Sequence, residues 1–416
     1  MSAPSRQLVA AALVALFGSG CRGPTSTDER DAATSPQAQA VPAPLAQAPA
    51  VSAQPVLTPD AGPPPAPLRG DQPVPADAFS APKGDAVAGW VLVGAFRPVD
   101  LAPAPRPAEA SAISLEALRK KAEPRLTVEM APSRARVVLG GAGFALPVDT
   151  ELRSRADRVG HVLLLPGAAS YRAVPPGALR ALLNERRLDV APASASEVVA
   201  QGDGPKRLGQ KTRKVEVQTR AGRATFELVR APEVGDGGAL FARALLDLVS
   251  APGAAAVGAD EIPVRVEYKW TRRGGLVFEA TSLVRKADLA VSALVAPPPQ
   301  ATFTTEPIPS APVVPLLPPA DLAQMRATPV DVPVPPNVSS TGLEVASGSD
   351  EALLLYLDAI PVAWVSPRAR GEVLGPPRGR YQAQFRSFLG DMVAPPTPVT
   401  VPGRADIQLS DAGAPW

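Results

Sequence analysis

Prolines make up 52 of the 416 residues, and they are concentrated in two long stretches of the chain. Proline fixes φ and lacks a backbone N–H, so a stretch dense in it forms neither a helix nor a central strand. The first stretch, residues 22–85, is rich in Pro and Ala and has almost no aromatic residues, and the second covers residues 304–341. Both stretches are predicted to be disordered: a tether and a linker.

The two Pro-rich stretches separate two regions that can fold, residues 86–303 and residues 342–410, and residues 411–416 form a short tail. In the larger region, apolar and polar residues alternate on either side of turns at 220–223 and 272–275, which predicts two antiparallel hairpins. Helical spacing of apolar residues predicts short helices over residues 114–122, 175–187 and 239–249. The larger region is therefore predicted to be an antiparallel sheet with a few helices.

The order of elements at the end of the larger region resembles that of periplasmic lipoprotein-carrier half-barrels. A hairpin begins at Gly209, a helix follows, a second hairpin begins at Ile262, and residues 287–297 end the region. In that superfamily a curved antiparallel sheet wraps helices around an apolar cavity. The resemblance implies a cavity here, with three side chains as candidates for an apolar ligand lining: Tyr268, Trp270 and Phe278. The competing interpretation places these side chains in an ordinary core.

Residues 342–410 resemble a PEGA-like β-sandwich module. Residues 353–367 follow its pattern of a strand, a turn with an aspartate and a return strand that ends in Ser-Pro, and residues 378–386 match its later strand. The family usually has glycine after the aspartate, whereas this chain has Ala359. Together with the larger region, the expected fold class is α+β and all-β: a curved antiparallel sheet with a few helices and a small C-terminal β-sandwich.

The only cysteine, Cys21, follows ten apolar residues at positions 8–17 and three small residues. Ten residues are too few to cross a bilayer core, which needs about 20. This arrangement resembles the signal peptide and lipobox of bacterial lipoproteins of myxobacterial type, which implies that residues 1–21 form the signal and that Cys21 carries fatty acids such as palmitate. Arg22 in place of aspartate implies the outer membrane, on its periplasmic or surface face. The alternatives are an ordinary secretory signal, with Cys21 free or removed, and an uncleaved anchor.

The composition excludes most metal sites and histidine-based catalysis, because His161 is the only histidine. His161 could form a hydrolytic trio with Asp157 and Ser170, but Ser170 does not lie in a Gly-x-Ser-x-Gly turn. A structural histidine at the start of a strand is the competing interpretation. The chain is therefore predicted not to be an enzyme and to have no catalytic residue, cofactor or metal.

Three further patterns are incomplete as binding sites. Residues 204–212 resemble a phosphate-binding loop, but Gln210 displaces the lysine by one position and a strand follows. Residues 140–143 lack the third glycine of a dinucleotide fingerprint. Five arginines around one pair of strands could bind an anionic group or form the solvated face of those strands: Arg134, Arg136, Arg153, Arg155 and Arg158.

The net charge of +2 and the lack of a Lys/Arg block give no reason to expect nucleic acid as a partner. The sequence is expected to encode a cell-envelope protein that contacts the membrane through its lipid anchor and has a non-catalytic structural or interaction role, with an envelope protein as partner. The alternative function is a lipid or acyl-chain carrier that uses the half-barrel cavity.

Overall fold

Strands dominate this protein, as the alternating sequence predicts, and the expected fold class, α+β and all-β with curved sheets, is confirmed. The structure is a computed structural model. It describes residues 68–75, 86–101, 115–141, 146–156, 160–175, 178–179, 182, 196–249, 257–271, 273–290, 294, 297–308, 311–325 and 342–407. The predicted signal peptide, with Cys21, lies outside the described residues.

Twelve strands of the described chain form one large sheet. They are β1 (Ala86–Pro98), β2 (Arg125–Ala131), β3 (Arg134–Leu139), β4 (Glu151–Arg155), β5 (His161–Leu164), β6 (Ser170–Val174), β7 (Ser196–Arg207), β8 (Gln210–Thr219), β9 (Gly222–Arg230), β10 (Glu261–Trp270), β11 (Gly275–Ala290) and β12 (Thr302–Phe303). The order in the sheet is β12-β6-β5-β4-β3-β2-β1-β11-β10-β9-β8-β7. Neighbouring strands are antiparallel except β12 and β6, and the two predicted hairpins are β8–β9 and β10–β11.

Helix α1 (Leu115–Ala122) and helix α2 (Gly237–Val249) match two of the predicted helices. Helix α2 contacts β2, β3 and β4 on one side of β1, and it contacts β10 on the other side. The large sheet must therefore curve around this helix. An amphipathic surface helix would keep one polar face, whereas α2 is apolar around most of its circumference, as expected of a buried helix. Of the predicted helix at 175–187, only positions 175, 178–179 and 182 lie in the described part, and Leu179 and Leu182 are buried there.

The C-terminal part forms the predicted β-sandwich. Its strands are β13 (Val313–Pro315), β14 (Leu343–Ser347), β15 (Leu353–Leu357), β16 (Ile360–Val365), β17 (Arg370–Val373), β18 (Gly379–Ser387), β19 (Thr397–Val401) and β20 (Gly403–Ile407). One sheet has the order β13-β16-β15-β18-β19 and the other β17-β14-β20. Between β15 and β16, Asp358 and Ala359 both have positive φ, so the tight turn forms with an alanine at the second of these positions.

Parts of both predicted disordered stretches belong to the folded unit, which corrects their boundaries. In the tether predicted for 22–85, Leu68 and Val74 are buried, and the backbone N–H of Val74 donates to the Tyr171 hydroxyl at 3.2 Å. In the linker predicted for 304–341, β13 pairs with β16, and a short helix α3 (Pro319–Leu322) buries Leu322. Proline is compatible with these positions because β13 is an edge strand and α3 has proline in its first turn.

The two regions predicted as separate domains, 86–303 and 342–410, form one compact unit in the structure. Helix α1 precedes β2 in the chain, yet Leu115 and Leu118 pack into the core of the C-terminal sandwich. In the opposite direction, Leu354 and Trp364 of the sandwich pack into the core of the large sheet. The composition of the linker gives no indication of these contacts, because they join apolar faces that are far apart in sequence.

Candidate functional site

The concave side of the large sheet holds the three side chains predicted to line a cavity. Tyr268 and Trp270 lie on β10 and Phe278 lies on β11, and all three are buried in one apolar cluster. The Phe278 ring lies 5.2 Å from the Phe96 ring and 5.7 Å from the Phe241 ring of α2, measured between centroids. Helix α2 therefore covers Phe278 on the side where the resemblance implies a ligand.

Two of these side chains have buried polar atoms. The rings of Tyr268 and Trp270 stack with centroids 6.0 Å apart. The Tyr268 hydroxyl and the Trp270 indole nitrogen are buried and have no hydrogen-bond partner among the residues described. Burial raises the pKa of Tyr268, so the hydroxyl keeps its proton and remains a donor. A buried donor without an acceptor is costly, so water or the oxygen of a ligand would stabilise this position.

The C-terminal sandwich packs against one end of the concave side. Leu354 and Phe388 meet Phe96 and Val249 there, and they leave a recess of about 20 Å³. A single water needs about 10–15 Å³ of such space, so the recess has room for a water or two at most. At this end of the sheet the apolar surface is therefore used for packing between the two parts of the chain.

Polar contacts surround the junction between the large sheet and the C-terminal sandwich. The buried guanidinium of Arg386 donates to the Asp100 carboxylate at 2.7 Å and to the Gly390 carbonyl at 2.9 Å. Arg273, after β10, donates to the carboxylates of Glu351 and Asp391 at 2.7 Å each. The burial of Arg273 would lower its pKa, but the hydrogen bonds and charges of the two acids outweigh burial and raise it. Arg273 therefore stays charged, and the contacts of both arginines join the large sheet to the C-terminal sandwich.

His161 has partners other than those considered from the sequence. Its Nδ1 lies 2.5 Å from the Ser154 hydroxyl, and its Nε2 lies 2.5 Å from the Asp247 carboxylate of α2. Ser170 lies on β6, and Asp157 is outside the described residues. His161 and Ser154 are both buried, whereas a catalytic serine must be accessible to its substrate. The hydrogen-bonded set of Ser154, His161 and Asp247 therefore links helix α2 to strands β4 and β5.

The His161→Phe variant is expected to lower the free energy of unfolding by about 2–4 kcal/mol, because it leaves the Ser154 hydroxyl and the Asp247 carboxylate without their buried partner. Phenylalanine keeps most of the ring volume, so packing is little changed. Urea denaturation measures the difference. The Val284→Ala variant is the control, since Val284 is exposed and its truncation should change stability by less than about 0.5 kcal/mol. If His161→Phe is as stable as wild type, the hydrogen bonds of His161 with Ser154 and Asp247 do not stabilise the packing of α2.

The predicted arginine cluster is largely offset by acids. Arg136 binds Glu151 at 2.5 Å and Glu129 at 3.0 Å, and Arg153 binds Glu151 at 2.7 Å. Hydrogen bonding to Glu151 raises the pKa of Arg136, and burial lowers that of Arg153. Arg134 and Arg155 face each other across β3 and β4, and Arg158 lies outside the described residues. Arg136 and Arg153 therefore already have anionic partners within the protein.

The remaining sequence patterns do not form the sites that they resemble. Residues 204–212 lie in the β7–β8 hairpin, and a strand follows them where a phosphate-binding loop needs a helix. Of residues 140–143, only 140–141 are described. No group of three or more potential metal ligands occurs in the described part of the chain. The helices described are also too short or too polar to span a membrane.

Comparisons with known proteins leave the family open. No protein-family model matches the chain. No curated protein matches it either. Among solved structures, PNGF-II is similar in two crystal forms, with a TM-score of 0.31 in each and sequence identities of 10% and 9%. The match covers 65% of this chain, which spans less than half of the PNGF-II chains, 44% and 46%.

Sequence reasoning missed the partners of His161. Asp247 is the only acidic residue of α2, and a single carboxylate in a mostly apolar helix signals a polar partner inside the fold. Ser154 gives no such signal, because serine is common on strands and in turns. The contact between Arg386 and Asp100 joins residues 286 positions apart, and no local pattern predicts it.

Proposed function

We propose that this chain is a lipid-anchored protein of the cell envelope, at the outer membrane, with a non-catalytic structural or interaction role. The anchor rests on the apolar run before Cys21 and its resemblance to a lipobox. Two or three acyl chains hold a protein at a bilayer far more firmly than one chain does. In this proposal the folded unit projects from the membrane on the Pro-rich stretch that follows Cys21.

One observation supports the interaction role best: helix α2 occupies the concave side of the large sheet. Phe241 and Phe278 are both fully buried against each other, so this apolar surface serves the protein's own core. In such an architecture the surfaces left for partners are the outer face of the sheet and its edges. Strand β7 is one of these edges, and its side chains, including Val198 and Val199, are largely exposed.

The Cys21→Ser variant tests the anchor. The wild-type chain is expected to incorporate radiolabelled palmitate and to sediment with outer membranes, whereas Cys21→Ser should do neither, because the thiol is the acyl acceptor. The Ser19→Ala variant is the control, since it keeps the small residues before Cys21. Labelling of Cys21→Ser, or wild-type protein that washes freely from the envelope, would contradict the proposal.

Crosslinking in cells tests the interaction role. The full-length chain should give discrete crosslinked products with envelope proteins, and the same products should be reduced when Cys21→Ser removes the chain from the membrane. If the wild-type chain crosslinks to lipid alone, the interaction role is wrong.

A second candidate function is binding of an acyl chain on the concave side of the sheet. The unsatisfied donors of Tyr268 and Trp270 favour it, because the oxygen of a fatty-acyl head could accept from both. Native mass spectrometry of the full chain after mild extraction distinguishes the two proposals. A carrier should retain or take up an acyl ligand, and the Trp270→Phe variant should retain less of it. A chain that takes up no fatty acid is not a carrier.

A further inference from the structure

A cleft of about 650 Å³ lies between helix α1 and the outer face of the large sheet. Its sheet side comes from residues of β1, β11 and the start of β2, and its other wall is the polar side of α1. The volume is within the range of small-molecule sites, which is about 300–1,000 Å³. Such sites often form where two parts of a fold meet, and α1 joins the large sheet to the C-terminal sandwich here.

The floor of the cleft has a small residue between opposite charges. In the register of the sheet, Ala95 of β1 faces Arg125 of β2 on one side and Glu279 of β11 on the other. Neighbouring strands lie about 4.8 Å apart, so the backbones of Arg125 and Glu279 are separated by roughly 10 Å across the alanine. The methyl group of Ala95 leaves space above it for a ligand.

The acids of the cleft already have cationic partners. Glu279 binds Arg97 at 2.9 Å and Arg207 at 3.3 Å. Glu116 binds Arg119 at 2.5 Å, and Glu123 lies 4.0 Å from the same guanidinium. Burial raises the pKa of the Glu123 carboxyl, although the charge of Arg119 opposes this. The negative charges of the cleft are therefore largely offset within the protein.

Two cations of the cleft differ from Arg97 and Arg119 in their ion pairing. Lys120 and Arg125 are exposed, and neither has an acidic group at ion-pair distance in the described parts of the chain, although the charge of Arg125 acts on the Glu123 carboxyl. The Arg125 guanidinium donates to the backbone carbonyl of Lys120, which keeps the two residues together at the end of α1. A guanidinium and an ammonium that line one cleft suit a phosphate group, which has several acceptor oxygens.

We propose that this cleft binds a phosphorylated sugar or polyol, with its phosphate on Arg125 and Lys120 and its carbon chain over Ala95. Glu116 and Glu279 are partly exposed at the cleft, and their carboxylates accept hydrogen bonds from ligand hydroxyls. A simple anion would use only the two cations, whereas an anion that also has hydroxyl donors gains hydrogen bonds to these carboxylates. This inference goes beyond the proposed envelope role and does not depend on acylation of Cys21.

Isothermal titration calorimetry of the full-length chain with glucose 6-phosphate tests the site, with glucose and inorganic phosphate as comparison ligands at constant ionic strength. The Arg125→Ala variant removes a phosphate contact and is expected to weaken binding about tenfold or more. The Ala95→Leu variant fills the floor without a change of charge and should weaken binding by a similar factor. The Lys286→Ala variant removes an exposed positive charge of β11 outside the cleft and should bind like wild type.

The proposal stands if glucose 6-phosphate binds more tightly than both comparison ligands and only the two cleft variants weaken it. Circular dichroism and urea denaturation of the variants establish that they are folded. The proposal is overturned if glucose 6-phosphate gives no saturable heat up to about 10 mM, which is weaker than any specific site of interest. It is also overturned if inorganic phosphate binds equally well, or if Lys286→Ala causes the same loss as Arg125→Ala.

Discussion

The Gly238→Ala variant is expected to lose at least about 3 kcal/mol of its free energy of unfolding, although alanine is the better helix former. Gly238 lies in the first turn of α2, and a Cβ at this position would be 1.9 Å from the carbonyl oxygen of Glu261. That oxygen belongs to β10, which is hydrogen-bonded to β9. Because the sheet backbone cannot give way locally, the helix must move outward and loosen the contact of Phe241 with Phe278.

The direction of the change in stability distinguishes a steric clash with β10 from an effect of helix propensity. Helix propensity alone predicts that replacing glycine by alanine stabilises a helix by up to about 1 kcal/mol. Urea denaturation and near-ultraviolet circular dichroism measure the stability and the packing of the aromatic core. The Gly202→Ala variant is the matched control, because a Cβ on Gly202 would have no atom within 4 Å. If Gly238→Ala is as stable as wild type, α2 does not lie this close to β10.

Local patterns in the sequence predict the strands and helices of this fold well. The alternation around residues 215–228 and 262–280 identifies the β8–β9 and β10–β11 hairpins, because a half-buried strand has a period of two. The same alternation puts Tyr268 and Trp270 on one face of β10. It does not show what covers that face, because the position of α2 depends on its contacts with β2, β3 and β4 as well as with β10, and those three strands are distant in sequence.

The boundaries of the folded unit are harder to predict, because a high density of proline is typical of disordered stretches. Val313 and Val314 pair with β16 although Pro312 and Pro315 flank them, since an edge strand does not need every backbone N–H. Leu322 and Met325 then bury their side chains in the sandwich core. Isolated apolar residues between prolines are therefore a sign of local packing that an average composition conceals.

The cleft could not be predicted from sequence either, because its charges come from α1, β1, β2 and β11. Lys120 and Arg125 are close in sequence, but nothing in a local pattern sets Glu279 opposite them. The register of β1 with both β2 and β11 brings Arg125 and Glu279 into one row across Ala95. Sites of this kind depend on sheet order, which a single sequence does not fix.

The Trp364→Ala variant is expected to cost about 3–5 kcal/mol, the usual range for a large buried aromatic side chain. Trp364 lies on β16, is 4% exposed, and packs edge-on against Phe388 with ring centroids 6.2 Å apart. Both rings belong to the apolar cluster that the C-terminal sandwich shares with the large sheet. Truncation should therefore weaken the junction more than the interior of either part.

Differential scanning calorimetry distinguishes a loss at the junction from a general loss of stability. The wild-type chain should unfold in one cooperative transition, because the sandwich and the large sheet form one compact unit. The Trp364→Ala variant should show two transitions, since it removes a large apolar contact of the junction and the polar contacts of Arg273 and Arg386 are expected to hold the two parts together less firmly. The Met392→Ala variant is the control, because Met392 is 47% exposed in the same part of the chain. A single transition with an unchanged midpoint in Trp364→Ala would mean that the apolar contact of Trp364 does not hold the two parts together, and that the largely buried polar contacts of Arg273 and Arg386 do.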